Sequence, residues 1–362
     1  MKLLRCAIEA TCLANLHPTG ISRYTRHLVL ELAKLDGEAA PDLTLLYRAS
    51  RWKRRERLPE GPRSHRQLWH RGWWPPAKPY DLVHCPDHRL PHWDLPKLVT
   101  VHDVYSAVGI NFEDPVAREK QNGIYRDFSK RADRIVFDSA HTRADFLRFF
   151  PYDEARTDVV HLGVTEEFHP RSAEELAVLP ARFGLSRPYL LFLGLQNANK
   201  NLARLLQAFA QSPLRHDHQL LLAGKVPASQ AEALTQRVEG LGLKDAVRFG
   251  GYVGDAEVPL LYAGAAALMF PSLYEGFGLP ILEAMASGTP VMTSTASSCP
   301  EVAAGHAVLA DPESVAEMAA AIERAVRMSE ADRAAARAYA LTCTWRRTAE
   351  QTFAVYRKLA AT

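Results

Sequence analysis

Cysteine is scarce and scattered in this chain of 362 residues: Cys6, Cys12, Cys85, Cys299 and Cys343 are far apart and share no C-x-x-C spacing. That spacing disfavours a disulfide pair and a zinc site, and reduced thiols in a cytosolic protein are expected. Long apolar runs are lacking too. The most apolar window, Val258 to Leu273, is interrupted by Pro259 and Pro271 and is too short to span a bilayer as a helix. Met1-Lys2-Leu3-Leu4-Arg5 runs straight into a strand pattern without the apolar core of a signal peptide. These features predict a cytoplasmic protein, at most peripheral at the inner face of the cytoplasmic membrane. No charge sign dominates, since 44 Lys and Arg against 41 Asp and Glu leave a net +3. Bulk charge therefore gives no footprint for a polyanion, and no nucleic-acid partner is expected. No G-x-G-x-x-G follows the first strand, which disfavours a nicotinamide site. No D-x-D closes a strand, so no metal ligands are predicted.

What is present is alternation. Hydrophobic residues make up 47% of the chain, ample for two cores, and the length suits two domains. Strand-like runs at 3–8, 81–84, 97–103 and 134–139 are interleaved with helical stretches at 21–35, 115–131 and 140–149. A second series of runs at 189–194, 219–223, 247–250, 266–270 and 290–293 repeats the pattern. Alternation of this kind means parallel sheets covered on both faces, so the fold class is α/β with two doubly wound, Rossmann-like domains. Such sheets display their chemistry at the carboxyl ends of the strands. Gly20, opening the first helix, and His102-Asp103, closing the third run, stand at such ends.

Residues 48–76 break the pattern. They carry nine basic residues against Glu56 and Glu60, with Trp52, Trp69, Trp73 and Trp74 among them. A solvated loop is one reading. An anionic membrane surface met by arginines and tryptophans is a second, and stacked single-stranded nucleic acid a third.

The most informative stretch is Glu275-Gly276-Phe277-Gly278-Leu279-Pro280-Ile281-Leu282-Glu283, which spaces two carboxylates eight positions apart. A short apolar strand precedes it, and Pro280 suits the first turn of a helix beginning near Leu279. Glycines permit close backbone approach, and a helix N-terminus favours an anion, while carboxylates accept hydrogen bonds from hydroxyls. A sugar nucleotide offers both kinds of group. The stretch resembles the E-x7-E signature of the retaining nucleotide-sugar glycosyltransferases of family 4. Gly20-Ile21-Ser22-Arg23-Tyr24 is similar to the family's G-I-G-R-Y, with Ser22 in place of a glycine, which leaves the amide available and narrows the space. Thr100-Val101-His102-Asp103-Val104 resembles the segment in which a histidine lies beside the transferred sugar.

The resemblance implies a GT-B layout: an acceptor-binding domain over 1–170, a nucleotide-sugar domain over 171–344, a final helix over 345–362 crossing back, and a cleft between the domains. It implies donor binding by Gly20, Gly276, Phe277, Gly278, Leu279 and Glu283, with Glu283 on the ribose. Catalytic roles fall to His102, Glu275 and Lys200, with Lys200 on the diphosphate. The family's accompanying arginine position falls near Leu195, where a basic residue is missing, so Lys200 acts with backbone amides or with another cation such as Lys225. Asp103 either orients His102 or binds acceptor. The expected activity is metal-independent, retaining transfer of a hexose onto a saccharide on a lipid carrier, with mannose from GDP-mannose as the indicated donor and no cofactor beyond the nucleotide sugar. A UDP-sugar transferase, a same-fold sugar-nucleotide epimerase and a non-catalytic two-lobed binding protein are the alternatives.

Overall fold

Apolar runs closed by polar residues become parallel strands throughout the computed structural model, which describes residues 3–15, 19–36, 40–54, 66–70, 80–87, 89–109, 114–194, 198–226 and 228–361. The chain forms two units, one of residues 1–163 with 344–362 and one of residues 164–343.

The first unit holds β1 (Leu4–Glu9), β2 (Pro41–Arg48), β3 (Arg66–His70), β4 (Leu82–Cys85), β5 (Lys97–Val101), β6 (Arg134–Phe137) and β7 (Thr157–Val159), in the order β3-β2-β1-β4-β5-β6-β7. The pairings are parallel, with Cys6 opposite Leu82 and Ile8 opposite His84 where β1 meets β4. Cys6, Ala7 and Ile8, like Ile135, Val136 and Phe137, are fully buried, as strands covered on both faces must be. β2, β3 and β7 are additional to the expected strands. β3 lies inside the basic segment read above as a loop, and its local sequence Arg-Gln-Leu-Trp-His hides a ladder that only its non-local partner β2 supplies. The remainder of the membrane-contact reading falls mainly on 55–65 and 71–76, outside the described residues.

The second unit holds β8 (Tyr189–Leu193), β9 (Gln219–Ala223), β10 (Val247–Gly251), β11 (Ala267–Phe270), β12 (Val291–Ser294) and β13 (Val308–Ala310), ordered β10-β9-β8-β11-β12-β13. Leu205, Leu206 and Phe209 from the helix Leu202–Gln211 and Met318 and Ile322 from the helix Val315–Val326 pack on Leu190, Leu220 and Met269 in one core. Residues 171–188, expected as a linker with one short helix, form two, Ala173–Leu176 and Val178–Phe183, the first closed by a Ser172–Glu175 capping box.

The last helix, Trp345–Ala360, belongs to the first unit. Tyr356 meets His84 Nδ1 at 2.8 Å, His84 Nε2 meets Thr100 Oγ1 at 2.8 Å, and Tyr24 meets the same hydroxyl at 3.1 Å. These buried groups satisfy one another and tie the helix to β4 and β5. Where the chain leaves this unit and re-enters it, Gly163 passes so close to Trp345 that a Cβ there would lie 2.1 Å from the Trp345 nitrogen. Only glycine fits. Among the described residues no helix is long and apolar enough to cross a membrane.

Candidate active site

Each sheet reverses its strand order once, between β1 and β4 in the first unit and between β8 and β11 in the second. Ligands of open α/β sheets bind outside the carboxyl ends of the strands at that reversal. In the second unit the loops leaving β8 and β11 are stitched together there. The Leu273 amide donates to the Asn199 carbonyl at 2.8 Å, and Asn199 Nδ2 donates to the Tyr274 carbonyl at 3.3 Å. This clamp brings Lys200 and Glu275, distant in sequence, to 2.6 Å between Nζ and Oε1. Both side chains are largely buried, at 18% and 14% exposure. Lys200 also lies 5.0 Å from the centre of the Phe270 ring, which offers its ammonium a second favourable face.

Gly278 caps the helix Leu279–Ala286 with φ +107°, a conformation that a side chain would strain, and Pro280 occupies the first turn. Gly276, Phe277, Gly278 and Leu279 form the approach to that helix end. Glu283 lies within the helix, 7% exposed, and Oε2 accepts a 2.9 Å bond from the Tyr262 hydroxyl. Two serines fix the loop from outside. Ser297 accepts from the Glu275 amide at 2.9 Å and donates to the Glu275 carbonyl. The Ser298 hydroxyl lies between the carbonyls of Glu275, at 2.9 Å, and Phe277, at 2.7 Å. Ser297 holds φ +60°, an uncommon conformation for a side-chain-bearing residue. Tyr262, Ser297 and Ser298 carry no sequence signal that marks them as parts of a site. They are found only by where they point.

In the first unit His102 follows β5. Its Nδ1 lies 2.6 Å from Asp138 Oδ2 and its Nε2 2.9 Å from the Pro86 carbonyl. A carbonyl can only accept, so Nε2 carries hydrogen. Burial lowers the basicity of His102, but the Asp138 charge and both hydrogen bonds outweigh it and raise the pKa overall. Asp138 is itself raised by burial, against the opposing pull of His102. With both nitrogens engaged, the imidazole is fixed in orientation and its protonated form is favoured. The orienting carboxylate is Asp138 rather than Asp103, whose Oδ1 accepts from the Tyr105 amide at 3.1 Å and turns the chain into the next helix. Asp138 could have been noticed, because it closes an apolar strand as His102-Asp103 does.

Gly20 opens the helix Gly20–Ala33, with Thr19 as N-cap accepting from the Ser22 amide at 3.3 Å. The Ser22 hydroxyl donates to the Cys12 carbonyl at 2.9 Å. The serine therefore closes the loop on itself, and its amide serves the cap instead of standing available as expected. Lys225 is exposed beyond β9. The position near Leu195 lies outside the described residues. The structure thus brings Lys200, Glu275, the Gly276–Leu279 approach and Glu283 into one neighbourhood of the second unit, and places Gly20, His102 and Asp103 in the first.

Comparison with known proteins gives the same division. The family "Glycosyltransferase Family 4" matches residues 18–168, and "Glycosyl transferases group 1" matches 181–341. The O-antigen chain mannosyltransferase B of Escherichia coli is 32% identical over 286 residues, covering 77% of this chain and 74% of that protein. The serotype-specific mannosyltransferase WbdA of Escherichia coli is 30% identical over 218 residues, 59% of this chain but only 27% of its own length. Among solved structures, sucrose-phosphate synthase from Thermosynechococcus elongatus superposes with a TM-score of 0.77 at 21% identity, covering 99% of this chain and 100% of that one. WaaG, a glycosyltransferase involved in lipopolysaccharide biosynthesis, superposes at 0.71 with 17% identity, covering 97% and 98%. With two parallel sheets of this topology, family matches over both units and a relative aligned along most of its length, the chain belongs to the family 4 glycosyltransferases of the GT-B fold.

Proposed function

We propose that this glycosyltransferase moves mannose from GDP-mannose, with retention of configuration and without a metal or other cofactor, onto a lipid-linked saccharide in surface-polysaccharide synthesis. The mannosyl donor is suggested by the Escherichia coli mannosyltransferase aligned along three quarters of its length. The observation that carries the reaction is the Lys200–Glu275 pair at the strand-order reversal of the second unit, beside the N-terminus of the helix Leu279–Ala286.

Departure of a nucleoside diphosphate puts negative charge on phosphate while positive charge grows at the anomeric carbon. A lysine and a helix N-terminus stabilise the first without a metal. Lys200 would exchange Glu275 for the diphosphate, and the freed Glu275 would accept from sugar hydroxyls. Glu283, held by the Tyr262 hydroxyl, would take the ribose hydroxyls. Glycosidases that retain through a covalent intermediate use two carboxylates about 5–5.5 Å apart. Here the carboxylates of Glu275 and Glu283 have separate partners, which favours front-face displacement assisted by the leaving phosphate.

Thermal stabilisation by GDP, UDP, ADP and their sugars tests the reading, since selective binding raises the melting temperature. GDP and GDP-mannose should stabilise, and Glu283→Gln should weaken that binding roughly 10- to 150-fold, the equivalent of losing a charge-assisted bond. Stabilisation by UDP-sugars alone would replace the donor. No nucleotide effect on folded protein would reject the transferase reading.

A further inference from the structure

The first unit has a strand-order reversal of its own, between β1 and β4, and it is built differently. Glu9 ends β1 at 5% exposure. Its Oε1 accepts from the Thr11 hydroxyl, while Oε2 is buried with no hydrogen-bond partner among the described residues. Thr11 Oγ1 also accepts from the amide of Arg48, the last residue of β2, at 3.1 Å. Arg48 Nε is likewise buried without a partner among the described residues. One acceptor and one donor are therefore left unmatched where an open sheet receives its ligand, whereas native folds pair nearly all such groups. A sugar hydroxyl both donates and accepts, so it complements this combination.

We propose that Glu9, Thr11 and Arg48 form a hydroxyl-binding subsite for the acceptor saccharide, with Glu9 Oε2 accepting from an acceptor hydroxyl and Arg48 Nε donating to one. The assignment rests on the transferase reading above and gives the acceptor a place in the first unit. The surrounding charges come from Arg48 after β2 and from Asp87 and Arg89 after β4. Burial drives the Glu9 carboxyl up to about 7, with Asp87 adding to the rise and Thr11, Arg89 and Arg48 opposing it. The neighbouring thiols remain neutral, Cys12 being raised to about 12 and Cys85 well above its usual value, both by burial. Glu9 is then the group of this cluster that changes charge near neutrality, and its ionised form is the stronger acceptor. Acceptor binding should tighten as the pH rises through about 7.

The test uses the full chain, the donor that stabilises it, and octyl α-mannoside, octyl β-glucoside and octyl β-N-acetylglucosaminide as acceptor probes, followed by nucleotide release. For the wild type, at least one glycoside should accelerate release, and its KM should fall between pH 6 and 8. Glu9→Gln should raise that KM about tenfold, the size of one hydrogen-bond loss, and flatten the pH dependence while donor KM stays within twofold. Thr11→Val should act in the same direction and guards against a folding defect peculiar to Glu9→Gln. The subsite is overturned if both folded variants keep the wild-type acceptor KM and pH slope, or if donor is hydrolysed yet no glycoside alters the rate. Absence of turnover with every nucleotide sugar would instead reject the transferase reading, and the subsite with it.

Discussion

At the strand-order reversal of the second unit a lysine and a glutamate neutralise each other at 2.6 Å, while at that of the first unit a glutamate keeps one oxygen without a hydrogen-bond partner among the described residues. Both positions lie at the carboxyl ends of central strands, so topology alone does not distinguish them. Chemistry does. A paired cation and anion can be held ready in low dielectric and handed to a ligand that carries both phosphate and hydroxyls, because the cation trades one charged contact for another while the carboxylate takes hydrogen bonds from hydroxyls. A carboxyl whose burial outweighs the nearby arginines avoids ionising until the pH approaches its raised pKa. This contrast is what the proposed division of an anionic donor to the second unit and a neutral polyol to the first would require.

The largest effect that would break this contrast is loss of Lys200. Lys200→Met should lower kcat by about 100- to 1000-fold, the range found for removing one preorganised charge-stabilising group. Because Lys200 and Glu275 share one interaction, adding Glu275→Gln to it should cost less than the sum of the two single changes. Nucleotide-release kinetics on the three variants measure this, and strict additivity would mean that the pair does not act as a unit.

Next in size is the stability of Glu9→Gln. The folded-state pKa of Glu9 is raised from 4.5 to about 7, so its contribution is fully present below about pH 4.5 and is lost as the pH rises through about 7. That gap corresponds to about 3 kcal/mol. In urea titrations Glu9→Gln should exceed the wild type by up to this amount at pH 8, and the advantage should fade by pH 5. A pH-independent difference would show that the carboxyl is not held in a protonated state.

Smaller again is the loop support. Ser298→Ala removes the hydroxyl shared by the carbonyls of Glu275 and Phe277, and should weaken donor binding about 5- to 30-fold, as expected for about 1–2 kcal/mol. At Ser297, whose φ is +60°, glycine should be tolerated better than valine, since a β-branched residue is most strained there. Donor titration ranks the three; equal affinities would assign the loop geometry to the backbone alone.

The smallest effect concerns the returning helix. Tyr356→Phe removes the partner of His84 Nδ1 and should cost the first unit about 1 kcal/mol at pH 7. Burial lowers the His84 pKa to about 3, so the stability held by its neutral form is present above about 6.5 and declines as the pH falls towards 3. Unfolding followed by a probe in each unit at pH 7 and 5 should show both losses in the first unit only.

Much of this protein was written locally. The strand at 219–223 and the helices at 115–131 and 140–149 fall where periodicity and caps place them, because each is specified by neighbours within a few residues. The glycine-flanked stretch from Glu275 to Glu283 was legible for the same reason. β3 was not, since its charged and aromatic residues become a strand only against β2. Nor could the sequence choose Asp138 over Asp103 for His102, although Asp103 is the adjacent residue, because strand pairing sets β6 beside β5 and carries Asp138 to the imidazole. Sequence determined which residue types stand at the strand ends. Tertiary structure alone decided which of them meet, because partnership in a parallel sheet is fixed by crossovers that join residues far apart in the chain.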